Sequence, residues 1–421
     1  MAEKASVILA INAGSSSLKI SAYKQHSPAA ELTKLAEAQI SGISSPPAKV
    51  KYARGAETVK NNEELAKDQV TNQASAFAHI LKLLTSDDQL DDIKGNDHIT
   101  HACHRIVHGG DYPKLQVIDS STFHHIEQLS DLAPLHNGPA LSIVTAVSDQ
   151  LPHAKNVACF DSSFHSTIPE HIRTYPIDQS VAKRNKLRKY GFHGISYSFI
   201  TGTVAQHLGK PKAEVNIIAL HLGSGSSACA IKDGESHDTS MGLTPVSGLP
   251  GGTRSGSIEP ATIFHYTHDA GKPSTKSSEK MHITQAEDIL NGSSGFKGLT
   301  GTADFGDISS DLSKPKNKLA YDLFVDRVLD FVGAYWLKLG GDVDAFVFAG
   351  GIGEKAVGFR DEIVQKMSCL GVFLDKNKNS KPGDKPVEEI GATGSKCRVL
   401  VVKTDEQLEM ATGVVREGLT T

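Results

Sequence analysis

The sequence predicts an α/β fold made of two similar halves, and three observations carry that prediction. Apolar, strand-like runs alternate with helical patterns along the chain. A glycine- and serine-rich hairpin occurs near the N-terminus and again about half a chain later. The 421 residues are enough for two domains.

The central copy is Asn216–Gly234, NIIALHLGSGSSACAIKDG. The apolar run Ile217–Leu220 stops at Gly223-Ser224-Gly225-Ser226-Ser227, small apolar residues resume at Ala228, and Asp233-Gly234 turns the chain. The first copy runs Val7–Ile11, then Asn12-Ala13-Gly14-Ser15-Ser16-Ser17, then Leu18–Tyr23. Glycines let backbone N–H groups converge on one point, and serines add hydroxyl donors, so such a loop can hold a phosphate chain. One copy reads equally as an ordinary turn. Two copies suggest similar domains whose phosphate loops face a shared cleft.

Between the hairpins, residues 26–75 are polar and weakly periodic, with a loop at Ser44–Pro47. Ala74–Leu84 reads as an amphipathic helix and Ile99–Val107 as a buried strand closing at His108-Gly109-Gly110. Thr122–Leu129 and Pro139–Val147 read as helices, the second started by Gly138-Pro139. The strand Asn156–Phe160 delivers Asp161 to its carboxyl end, where α/β sheets bind ligands. Residues 162–190 read as loop, followed by a helix from Gly194 to Leu208. Leu243–Pro260 is a Gly/Pro-dense loop, and Ala270–Lys280 is a low-complexity surface loop. Apolar positions from Leu319 to Leu339 predict one long buried helix. The strand Ala345–Phe348 opens into the loop Gly350-Gly351-Ile352-Gly353-Glu354, and a helix follows over Val357–Met367. Val399–Lys403 is the last strand, and Thr404-Asp405-Glu406 caps a closing helix.

A formal charge of −4 gives no basic excess that would favour nucleic acid or an anionic membrane. The basic run Lys183–Lys189 is the exception, and reads as a solvated loop or a rim that attracts anions. The five cysteines form no CxxC pair, and a reduced, cytoplasmic setting is expected. No signal-peptide pattern or membrane-spanning run is read.

Several residues are candidates for chemistry. Asn12, Ser15, Ser17 and Lys19 could form a phosphate and Mg²⁺ shell, since that ion takes few protein ligands. Arg105, in a strand-like run, meets either a structural carboxylate or a substrate carboxylate or phosphate. Arg254, flanked by glycines, can approach a ligand closely or stay solvated. His193 stands at a helix start, as a structural histidine or as a donor to developing negative charge. Asp161 and Glu406 together could anchor Mg²⁺, and Glu406 could equally favour a helix N-terminus. His101, His104 and His108 lack an acidic partner at suitable spacing, so no zinc site is expected there. Neither GxGxxG nor GxxxxGK[ST] spacing occurs, which excludes a Rossmann or P-loop reading.

Taken jointly, the motifs resemble the acetate kinase family over nearly the whole chain. They are INAGSSSLK (11–19), HRIVHGG (104–110), APLHN (133–137), FDSSFH (160–165), YGFHG (190–194), HLGSGSS (221–227), GTRSG (252–256), FAGGIGE (348–354) and TDEQL (404–408). The resemblance implies two duplicated actin-like domains, of the ribonuclease H-like kind shared with sugar kinases and Hsp70, with a nucleotide cleft between them. It implies domains at 1–164 plus 404–421 and at 165–403, the last helix returning to the first. It implies reversible, direct in-line transfer of phosphate between ATP and acetate with Mg²⁺ or Mn²⁺, by a homodimer. Arg105 and Arg254 would hold the acetate carboxylate and the moving phosphoryl group, with His193 assisting and Asp161 as the essential acid. Asn12 and Glu406 match the metal positions, and Val107, Leu135, Phe192 and Pro245 match the methyl pocket. His221, Gly223, Ser224, Gly225, Gly350, Gly351, Ile352 and Gly353 match the nucleotide and phosphate contacts.

The chain departs from the family pattern at four places. Ser224 stands where Asn is usual, Gly306 where Arg is usual, Gln407 where a second Glu is usual, and Gly138 where Pro is usual. These leave a pyrophosphate-linked or longer-acyl (propionate or butyrate) kinase as the alternative. A non-catalytic nucleotide clamp is a third reading, disfavoured because Arg105, Arg254, Asp161 and His193 are all retained.

Overall fold

The computed structural model describes residues 6–14, 16–26, 32–129, 134–277 and 282–420, without the side chains of 134–136. By mutual contacts the chain divides into two units, Met1–Ser163 with Asp405–Thr421, and Phe164–Thr404.

The first unit holds strands β1 (Ser6–Ala13), β2 (Ser17–Gln25), β3 (Leu32–Ser41), β4 (Lys49–Arg54), β5 (Glu57–Glu64), β6 (Ile99–Ile106), β7 (Gln116–Val117) and β8 (Lys155–Phe160). They form one sheet in the order β5-β4-β3-β2-β1-β6-β8-β7. The second unit holds β9 (Ile217–Leu222), β10 (Ser226–Lys232), β11 (Glu235–Thr239), β12 (Ala345–Ala349), β13 (Val387–Glu389) and β14 (Arg398–Val402). Their order is β11-β10-β9-β12-β14-β13. In both sheets an antiparallel hairpin leads into three parallel strands, β1-β6-β8 and β9-β12-β14, and a short antiparallel strand closes the edge. The repeated glycine–serine hairpin is thus the opening of a repeated sheet.

The parallel strands are covered on both faces, as such strands must be. Along β9, Ile217 and Ala219 pack with Tyr197, Ile200 and Val204 of the helix Gly194–Leu208, while Ile218, Leu220 and Leu222 pack with the helix Pro315–Lys338. In the first unit Val7, Leu9 and Ile11 join Phe77, Ile80 and Leu84 of the helix Gln73–Thr85. The helix Glu406–Arg416 follows β14 of the second unit in sequence but packs against β1, β2 and β6 of the first. All five cysteines are free, four of them buried. Among the described residues no helix is long and apolar enough to cross a membrane.

Several elements differ from the sequence reading. Residues 26–75 hold three strands; β5 is almost wholly exposed, so it has no apolar alternation to read. The helix assigned to start at Pro139 begins at Pro134 and carries Pro139 inside it. The preference for proline in the first helical position holds, but for the earlier proline. The segment 162–190 contains short helical turns at Ser163–Thr167, Glu170–Arg173 and Gln179–Arg184. The Gly350–Glu354 loop is instead the helix Gly350–Lys355. The long helix is buried along one side only, with Leu319 and Leu337 exposed. Part of the Ala270–Lys280 loop lies outside the described residues.

Candidate active site

The first unit gathers three candidate side chains at the carboxyl ends of its parallel strands and a fourth at the start of its closing helix. Asn12 ends β1, Arg105 lies near the end of β6, and Asp161 follows β8. Parallel pairing sets Arg105 opposite Cys159, two residues short of Asp161, so the two side chains meet. Arg105 Nη2 donates to Asp161 Oδ2 at 2.7 Å, and Nε reaches Oδ2 and Oδ1 at 3.1 and 3.2 Å. Glu406 opens the closing helix, and its Oε2 lies 3.4 Å from both Arg105 Nη1 and Asn12 Nδ2. Burial acts against the Arg105 charge, and the Asp161 and Glu406 carboxylates more than offset it, holding the guanidinium pKa above its usual range. Asp161 is only 1 % exposed and the Arg105 side chain 20 %, so the acid is the hidden member and the base keeps an open edge.

Neighbouring motif residues fasten this cluster. Asn137 brackets His108 through both backbone groups at 3.0 Å, and Ser162 Oγ accepts the Gly109 N–H at 3.0 Å. Gln407 Nε2 donates to the Ala10 carbonyl at 3.1 Å, a bond an ionised glutamate could not make. Lys19 pairs with Glu37 at 3.2 Å, and Glu37 also meets Lys34, which reaches Asp405, the N-cap of the closing helix. Burial opposes the Glu37 charge, but Lys19 and Lys34 prevail and lower its pKa. Ser17 begins β2, and its carbonyl accepts the Gly14 N–H at 2.8 Å. Val107, just past β6, is half-buried. Ser15 and the Leu135 side chain lie outside the described residues.

The second unit builds a cluster of donors around its hairpin. A Cβ placed on Gly225 would stand 2.7 Å from Arg254 Nη1 and 3.4 Å from His193 Nε2, so both side chains aim at the bare backbone of that glycine. His193 precedes the helix Gly194–Leu208 in a left-handed conformation, φ +60°, which is uncommon for a non-glycine residue and frequent at functional sites. Its Nδ1 lies 2.8 Å from Ser227 Oγ. Its ring lies against that of His221, centroids 4.3 Å apart, and His221 Nδ1 meets Ser196 Oγ at 2.7 Å. Beneath the turn, burial pushes His165 down to about 4, so it is neutral. Its Nε2 donates to the Phe192 carbonyl at 2.9 Å and its Nδ1 accepts from Ser236 Oγ at 2.7 Å. Phe192 and Pro245 are buried.

Beside the hairpin lies a cavity of about 620 Å³, lined by Gly223, Ser224, Phe305, Gly306, Gly351 and Ile352 together with Asp304, Ser309 and Lys355. The helix Gly350–Lys355 presents its N-terminal residues to it, and Gly350 has φ +74°, where a Cβ would strike the Leu222 carbonyl at 2.6 Å. Gly353 is buried behind them. Arg360, fully buried, fixes the other end by donating to the Gly353 and Glu354 carbonyls at 2.9 and 2.7 Å and to Asn379 Oδ1 at 2.7 Å. Sequence reasoning missed Ser227, His165, Arg360, Asp304 and Lys355. Only the first two fell within the motifs singled out, and none carries a local signal for its partner.

Among known proteins, the model of the Acetokinase family matches residues 7–412. A probable acetate kinase of Chaetomium globosum is 51 % identical, covering 96 % of each chain. One of Emericella nidulans is 50 % identical with the same coverage. Of the solved structures, the Porphyromonas gingivalis acetate kinase aligns with TM-score 0.81 at 30 % identity, over 97 % of this chain and 98 % of its own. A propionate kinase from Francisella tularensis aligns with TM-score 0.83 at 32 % identity and the same coverage. A match that runs from the first strand into the closing helix, with relatives at half identity, means that the chain belongs to the acetokinase family.

Proposed function

We propose that the protein transfers the γ-phosphoryl group of ATP reversibly to acetate, giving acetyl phosphate and ADP by one direct in-line displacement. The observation that carries this reading is the convergence of Arg254 and His193 on Gly225, in the loop that also lines the cavity. Acetate is ionised at neutral pH, so its oxygen attacks without a base. What the transfer demands is positioning, and positive charge around the equatorial oxygens. In the second unit Arg254 supplies the charge and His193 a hydrogen-bond donor; in the first unit Arg105, braced by Asp161, keeps an open cationic edge. Val107, Leu135, Phe192 and Pro245 are assigned to the acetate methyl group.

Asn12 and Glu406 are assigned to Mg²⁺ or Mn²⁺: an amide oxygen and a carboxylate are hard donors and such an ion takes few protein ligands, and Asn12, whose Nδ2 lies 3.4 Å from Glu406 Oε2, would turn its Oδ1 to the ion. When bound, it neutralises charge on the β- and γ-phosphates. Ser15, Ser17 and Lys19 are assigned to the phosphates, the last two from β2. His221, Gly223, Ser224 and the helix at Gly350–Gly353 are assigned to the nucleotide.

ATP is favoured over pyrophosphate because the cavity beside Gly223 and Gly351 has room for a nucleoside that pyrophosphate lacks, and Gly306 opens it further. A hydroxamate assay with ATP, GTP or pyrophosphate against acetate, propionate and butyrate tests both choices. ATP with acetate is expected to be best, and a preference for pyrophosphate would overturn the reading. One methylene is worth about 1–3 kcal/mol in an apolar pocket, so propionate is expected to be about 10–200-fold poorer but measurable.

The hairpin gives a second test. Gly225→Ala displaces Arg254 Nη1 and crowds His193 Nε2 while leaving β9 and β10 paired. Turnover is expected to fall about 100-fold, as for a misplacement near 1 Å, with little change in Tm. A homodimer is the association we infer, supported by the exposed aromatic rings of Phe264 and Tyr266.

A further inference from the structure

His193 is held from behind by a chain of hydrogen bonds whose direction can be worked out. Ser227 sits on β10 directly across from His221 on β9, and Tyr197 projects from the first turn of the helix that His193 opens. Ser227 Oγ lies 2.8 Å from His193 Nδ1 and 2.6 Å from the Tyr197 hydroxyl, and Ser227 and Tyr197 are both fully buried. Burial pushes the Tyr197 pKa well above its usual value, so the phenol keeps its hydrogen.

These facts set the order of donors. The buried phenol hydrogen of Tyr197 has Ser227 Oγ within hydrogen-bond reach, so Tyr197 donates to it rather than leave that hydrogen unpaired. Ser227 then has its hydrogen available for His193 Nδ1, which must accept it. If Nδ1 carried the hydrogen instead, Ser227 would receive two donors and its own hydrogen would be buried without an acceptor, a costly arrangement. Neutral His193 therefore carries its hydrogen on Nε2, the atom that, with Arg254 Nη1, faces Gly225. A second donor at that spot suits an anion.

We propose that Tyr197 and Ser227 are positioning residues that lock neutral His193 in its Nε2–H tautomer and so aim a hydrogen-bond donor at the transferred phosphoryl oxygens. The direction of the aim rests on the function proposed above; the tautomer does not. His221, whose ring lies 4.3 Å away at a 34° tilt, and Arg254, which faces the same glycine, are titratable or charged groups beside His193 within its unit.

The test is ¹H–¹⁵N NMR of the full-length protein with ¹⁵N-labelled histidine above pH 8, His193 being assigned by its loss in His193→Gln. A protonated-type Nε2 and an unprotonated-type Nδ1 are expected. In Tyr197→Phe, Ser227 no longer receives a hydrogen and can accept one from Nδ1, so the pattern is expected to shift toward a mixture although the Ser227 contact remains. Ser227→Ala is expected to do the same. Turnover should fall about tenfold or more in both variants, with KM for ATP and acetate changing little; a catalytic histidine left in the wrong tautomer can cost about 10⁴ in kcat. A protonated Nδ1 in the wild type, or the wild-type pattern in both variants, overturns the proposal. Undiminished turnover in His193→Gln overturns instead the function assigned to the ring, whatever the tautomer.

Discussion

Arg254→Ala is expected to lower turnover by about 10³–10⁵, the range set by a single arginine acting on the transition-state charge of a phosphoryl group. The fold should survive, because the loop is held by its backbone. Gly251 N–H donates to the Arg254 carbonyl, Ser255 N–H to Leu290, and Ser294 N–H to Thr253, so deleting the side chain removes none of these bonds. Arg254→Lys should recover only a small part of the loss, since an ammonium cannot reproduce the planar fork of a guanidinium. Acetyl phosphate formation measured beside Tm checks both statements. Near-normal turnover in a folded Arg254→Ala protein would remove the residue from the mechanism.

Arg105 differs because its loss should affect stability as well as rate. Asp161, almost without exposure, has its carboxylate bound to Nε and Nη2 of Arg105. Arg105→Met leaves that carboxylate buried without its cation, and breaking such a pair costs about 3–5 kcal/mol. Asp161→Asn in the same chain removes the stranded charge, so the double variant should regain much of the lost stability in denaturant unfolding. Turnover should stay depressed by about 10³ or more in both, because the positive charge on the phosphoryl group is missing either way. A double variant that recovered turnover together with stability would reduce Arg105 to a structural ion pair.

How much of this was legible in the sequence follows from what each feature depends on. The duplicated hairpin was legible because its signal is local: an apolar strand, small residues at a tight turn, and a second strand. Asp161 was placed at a strand end for the same reason. β3 to β5 were not legible: β3 buries mainly small alanines on its inner side, and β5 has no buried side at all. The helix at Gly350 was hidden by its glycines, which read as loop. It is braced by Arg360, ten residues along, which reaches back to the carbonyls at 353 and 354. The contacts of Arg105 with Glu406, and of Gln407 with Ala10, join positions 301 and 397 residues apart, and no spacing rule connects them. The resemblance of nine ordered motifs supplied what local physics could not, and the family match confirms that membership.

The account turns on one displacement at phosphorus with no enzyme-bound phosphoryl intermediate. Stereochemical analysis with ATP made chiral at the γ-phosphorus by oxygen isotopes tests this most directly. The account predicts inversion in the acetyl phosphate formed from acetate, and retention, which requires two successive transfers through a nucleophile of the protein, would contradict it.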